Sequence, residues 1–134
     1  MTLGDIRTLD YTVLLCTKLQ ETKAFYRDVM GFALARDGER WVEFRVGAAV
    51  LALKQRGPGL APGPAWDDGP LPAGTAALQL AFRVAPHLLD GCHETLKSKG
   101  VEILSPPRDI PAFHHRALFF RDPEGNVVEL YAEV

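Results

Sequence analysis

The sequence predicts an α+β protein assembled from two successive βαβββ units. Three observations lead there. The strand, helix and strand signals recur in the same order in each half of the chain. A Pro/Gly-rich stretch separates the halves. Residue types also superpose when one half is laid on the other, with Phe44-Arg45 falling on Phe120-Arg121 and Val50-Leu51-Ala52-Leu53 on Val127-Val128-Glu129-Leu130. The offset is 77 residues in the last strands and 68 in the first, where Tyr11 falls on Gln79. A longer loop around Pro106 to His114 is expected to absorb the difference.

In the first unit, Tyr11 to Cys16 is β-branched and apolar and predicts a buried strand. Thr17, three residues before Gln20, has capping-box spacing and predicts a helix start. Leu19, Phe25 and Val29, with Ala24 and Phe32 nearby, form the apolar stripe of that helix, which is expected to end near Met30 with Gly31 as a left-handed stop. Strands follow at 33–36, 41–46 and 49–54, punctuated by Asp37-Gly38 and Gly47.

Residues 55–75 hold most of the prolines and glycines and carry no apolar period. The stretch admits two readings, a solvated connection or a flap over a cavity, and Trp66 within it is costly to leave in water. The order then repeats. A strand is predicted at 78–84, a helix at 86–99 with Leu88, Leu89, Cys92 and Leu96 inward and Gly100 as its stop, and strands at 101–104, 117–121 and 126–131. The expected organisation is a single domain over 1–134, with one module at about 7–55, the linker at about 55–75 and a second module at about 76–134.

Composition excludes several classes. With 134 residues, 47% hydrophobic and 24% charged, the chain is long enough to bury a core without a disulfide or structural metal. Cys16 and Cys92 have neither CxxC spacing nor a secretory signal beside them, so a reduced, cytoplasmic setting is expected. The 15 basic and 17 acidic side chains form no run of either sign, which argues against nucleic acid as a partner. No apolar stretch approaches the roughly 20 residues that span a bilayer, so no membrane partner is expected either.

The segment Arg116 to Tyr131, RALFFRDPEGNVVELY, resembles the C-terminal signature of the vicinal oxygen chelate superfamily, which comprises glyoxalases, bleomycin resistance proteins and extradiol dioxygenases. The stretch from Leu19 to Phe32, with its FY and MGF elements, and the strand LAFRV at Leu80 to Val84 are similar to the same family, so the resemblance covers nearly everything but the linker. Turn chemistry accounts by itself for Asp122, Pro123 and Gly125: an acceptor for downstream amides, a fixed φ and a tolerated positive φ. These three receive no catalytic role.

The resemblance implies paired mixed sheets around an open cleft, where the first and last strands of each unit project up to four metal-binding side chains. Those positions fall on Tyr11, Ala52, Gln79 and Glu129. Alanine has no donor atom, tyrosine and glutamine are weak ligands, and a tight divalent site usually needs three or more strong ones. No metal ligand set and no cofactor is therefore expected, with a divalent ion through an unusual set as the alternative.

Strand alternation places Glu129 on one face with Val127 and Tyr131, Gln79 with Ala81 and Arg83, and His115 with Ala117 and Phe119. An inserted residue would bring His114 inward instead of His115. His115 with Glu129 is a candidate acid/base pair, and an ion pair of Glu129 with Arg83 or Lys54 is the competing expectation. Tyr11, Trp41, Gln79, Arg83 and Glu129 are the candidate ligand-binding residues, although an aromatic such as Trp41 is more often core. His87 and His93 read as solvent-facing.

The leading expectation is a bleomycin-resistance-like protein that binds a small ligand between its modules without metal. The alternatives are a lyase, isomerase or dioxygenase of the family using Glu129 and His115 or an unusual metal set, and a non-catalytic interaction module. A homodimer is what the resemblance implies.

Overall fold

A computed structural model describes residues 2–56 and 78–134, and the Pro/Gly-rich stretch with Trp66 lies outside them. The chain divides into two compact units, one on either side of that stretch.

In the first unit, strands β1 (Tyr11–Cys16), β2 (Ala33–Asp37), β3 (Trp41–Val46) and β4 (Ala49–Gln55) form a sheet in the order β1-β4-β3-β2. β1 runs parallel to β4 and the other pairs are antiparallel. Helix α1 (Leu19–Ala24) continues into a π-helical turn over Phe25–Val29, in which the Met30 amide donates to the Phe25 carbonyl at 3.0 Å. Lys18, one residue after the predicted Thr17, holds the N-cap position, and the Thr22 hydroxyl returns to the Lys18 carbonyl at 2.7 Å.

The wider π turn brings Phe25 and Tyr26 into the core together, their rings edge to face at 5.1 Å. Tyr26 is fully buried, stacked against Phe32 and tilted against Phe44 of β3. The core side of the sheet is therefore the one carrying Leu14, Cys16, Val42, Phe44, Leu51 and Leu53.

The second unit repeats the arrangement with β5 (Gln79–Arg83), α2 (Leu89–Ser98), β6 (Ile103–Ile110), β7 (His115–Arg121) and β8 (Val127–Glu133), in the order β5-β8-β7-β6. Leu89 and Leu96 of α2 are buried, as are Leu118, Phe120, Val128 and Leu130 of the sheet. Arg116 ties the layers together, donating to Asp90 of α2 and to Asp109 of β6, both at 3.3 Å. The two carboxylates raise its guanidinium pKa further, chiefly through these hydrogen bonds.

Leu88, expected inward, is half exposed, because Pro86–Leu88 form a separate 3-10 turn ahead of the helix. Gly100 ends α2 with φ +75°, while the Gly100 and Val101 amides bond back to the Lys97 and Leu96 carbonyls. β6 passes straight through Pro106 and Pro107, where a loop was expected. It can do so because it is an edge strand: missing amides and register shifts between Ser105 and Arg108 are tolerated there.

The pairing registers carry the internal repeat. Tyr11 pairs with Val50 as Gln79 pairs with Val127, and Arg45 pairs with Val50 as Arg121 pairs with Val127. Both offsets read from the sequence are thus the offsets of the hydrogen-bond ladders.

Candidate functional site

Each sheet has one face packed on its helix and one remote from it. In the second unit Phe120, Val128 and Leu130 face the helix, so alternation puts Phe119, Val127, Glu129 and Tyr131 on the remote face. Glu129 is half-buried there, opposite Ala81 on β5 and Phe119 on β7. Its carboxylate accepts a hydrogen bond from Gln79 Nε2 at 3.1 Å, and it forms no ion pair among the described residues. Of the two ion pairs weighed for Glu129, the one with Arg83 is not made, since Arg83 donates instead to Glu133 at 2.9 Å.

His115 occupies the same face, and the β7–β8 ladder runs without a bulge, so His114 is not turned inward. His114 sits outside the strand with φ 53° at the end of the 3-10 turn Pro111–Phe113. The expected His115–Glu129 pair is nonetheless not assembled. His115 lies opposite Glu133 and Glu129 opposite Phe119, which separates them by four residues of β8, about 13 Å of strand. The imidazole instead stacks on Tyr131, centroids 4.2 Å apart and planes within 19°. Glu133, which holds Arg83, was missed in the sequence reading, although it continues the alternation from Glu129 and Tyr131.

On the first unit's remote face Trp41 Nε1 donates to Glu43 Oε1 at 2.8 Å, and the Tyr11 ring meets Trp41 edge to face at 6.4 Å. Ala52 and Lys54 are buried on the same side of β4.

The β7–β8 turn is built around Asp122. Its Oδ1 accepts the Glu124 and Asn126 amides at 3.0 and 2.9 Å, and its Oδ2 accepts Asn126 Nδ2 at 2.9 Å. Gly125 takes φ 92°. Asn126, buried beside Asp122, is a structural partner that the sequence reading passed over.

The donor chemistry at the four family positions does not fit a divalent metal. Ala52 contributes no atom, Tyr11 and Gln79 are weak donors, and Glu129 remains the one strong ligand. Among the described residues no three His, Cys, Asp or Glu side chains converge as a metal site would require. No helix among the described residues is long and apolar enough to cross a membrane.

Two mixed four-stranded sheets, each with a parallel first-to-last strand pair and a crossover helix, define the architecture of the vicinal oxygen chelate proteins. Residues 8–130 match the Glyoxalase/Bleomycin resistance protein/Dioxygenase superfamily, and the chain belongs to that family. Among solved structures it is similar to a glyoxalase/bleomycin resistance protein/dioxygenase from Nocardioides, at 24% identity and TM-score 0.75, covering 97% of this chain and 85% of that one. It is also similar to lactoylglutathione lyase from Agrobacterium tumefaciens, at 21% identity and TM-score 0.74, covering 96% and 95%. The fosfomycin resistance protein FosX from Listeria monocytogenes aligns at 20% identity and TM-score 0.72, again covering 96% and 95%. At these identities the likeness concerns the fold. No curated protein matches the sequence.

Proposed function

We propose that this chain binds a small organic ligand on the helix-remote sheet faces of its two units, without a tightly held metal. The observation that carries the reading is the Gln79–Glu129 hydrogen bond. It holds a half-buried carboxylate in one orientation at a position where the family's metal-dependent members place a ligand, while its first-unit counterpart, Ala52, offers no donor. Such a pre-oriented polar group beside aromatic rings suits recognition of an organic molecule, because specificity in small-molecule sites comes from a few fixed polar atoms on an apolar lining.

That the two faces address one ligand, and that two copies of the chain associate, are expectations from the family. The test is a ligand screen by thermal shift on protein purified without chelator, repeated on Glu129→Ala and accompanied by metal analysis. Ligands that raise the melting temperature of the native protein and not of the variant support binding at this face. A stoichiometric divalent ion lost in Glu129→Ala would replace the binder with a metal enzyme.

A further inference from the structure

The charge arrangement around Glu129 narrows the class of ligand. On this face the other carboxylate, Glu133, has its cation, Arg83. Arg121, two pairs along the ladder from the row of Phe119 and Glu129, donates to the Gly125 carbonyl at 2.8 Å and is engaged by the turn. Glu129 is bonded to a neutral amide instead. The bond uses Gln79 Nε2 and Glu129 Oε1, so Glu129 Oε2 and Gln79 Oε1 remain as acceptors that take no other hydrogen bond among the described residues.

The surroundings are aromatic. Phe119 is the direct cross-strand neighbour of Glu129, Tyr131 follows two residues along on the same face, and His115 lies flat on Tyr131. Ala81, the neighbour on β5, is small and leaves the carboxylate uncovered from that side. A negative charge held by a neutral partner over aromatic rings is stabilised best by a positive charge that can also lie against those rings.

We infer that the ligand taken by the β5–β8–β7 face is an organic cation, an aromatic or planar ammonium or amidinium, with its charged N–H group on Glu129 and Gln79 and its body on Phe119 and Tyr131. The inference rests on the small-molecule reading above and deepens it. A carboxylate ligand would meet two acceptors, and a neutral ring would leave Glu129 uncompensated.

Three probes sharing one ring test it: 2-phenylethylammonium, 2-phenylethanol and phenylacetate, each titrated into the full chain while backbone amide resonances are followed by NMR. The expected result is that the ammonium shifts the amides of Phe119, Glu129 and Tyr131 and binds at least tenfold more tightly than the alcohol, with phenylacetate weakest. Raising salt from 20 to 500 mM should weaken the ammonium alone, and Glu129→Gln should erase the preference among the three. The salt series uses native protein, so it decides the matter even if the variant folds poorly.

Equal binding of all three at this face would overturn the cation and leave the small-molecule reading standing. Absence of any shift on this face would overturn the cation, and the broader thermal-shift screen would then judge the parent reading alone. Manganese chloride displacing the ammonium at one equivalent would overturn both.

Discussion

Asn126 Nδ2 donates to Asp122 Oδ2 at 2.9 Å within a turn whose backbone amides are gathered on the other carboxylate oxygen. Both side chains are buried, so the loss of either leaves the other desolvated without its partner. Asp122→Ala is expected to cost about 3 kcal/mol of folding stability, since a charged acceptor of three hydrogen bonds disappears. Asp122→Asn, which keeps the acceptor for the amides, should cost about 1 kcal/mol. Urea denaturation of the two variants checks the order.

Two glycines of the second unit should respond to alanine with opposite signs. Gly91 lies within α2, is exposed, and has open space where a Cβ would go. Gly91→Ala should therefore stabilise by about 0.5–1 kcal/mol through helix propensity and reduced freedom of the unfolded chain. Gly100 also has open space, but its φ of +75° strains any L side chain, so Gly100→Ala should destabilise by about 1 kcal/mol. Thermal melts of the pair separate backbone strain from steric room, since neither added methyl meets a neighbour.

Phe44 is fully buried against Tyr26, and the equivalent Phe120 is fully buried in the second unit. Phe44→Ala and Phe120→Ala should each cost about 3–5 kcal/mol, from lost transfer energy and the cavity left behind. Comparable losses, measured by chemical denaturation, are the expected energetic counterpart of the repeated register.

Burial pushes the Cys92 thiol pKa upward, whereas Cys16 is fully enclosed. The native chain should alkylate more slowly at Cys92 than a free peptide thiol at pH 8, and at Cys16 only on unfolding. The same shift fixes the sign of a stability effect. The folded thiol holds its proton to higher pH than the unfolded one, so its contribution is complete below the ordinary thiol range near pH 8.5 and is lost as pH rises through the folded value. The stability gap between native protein and Cys92→Ser, followed by urea melts, should shift against the native protein as pH climbs past about 9.

Much of the fold was legible because strand periodicity and turn residues act locally. β1 and β3 begin and end where the alternation does, and the ladder offsets follow from residue matching. The π turn after Ala24 left no sequence signal, since it arises from packing two successive aromatics rather than from helix propensity. The prolines of β6 signalled a loop because a sequence does not announce that a strand will be at an edge.

The site was half legible for a related reason. Alternation fixes the face of a side chain but not its row, so Glu129, Tyr131 and His115 were assigned to one face while the distance between Glu129 and His115 stayed open. The turn supplied the missing constraint: once Arg121 stands opposite Val127, counting outward places Phe119 on Glu129 and Glu133 on His115. The polar partners Gln79 and Glu129 were named together for their family positions, and their contact depends on the parallel β5–β8 register.

That parallel pairing also orders events in time. Among the described strands β5 bonds only to β8, so a nascent chain emerging from the ribosome presents Gln79–Arg83 without that ladder until residues 127–133 have been made. For the intervening interval the backbone groups of β5 are open to any passing strand, and the last seven-residue strand is what closes that window of vulnerability to misassembly.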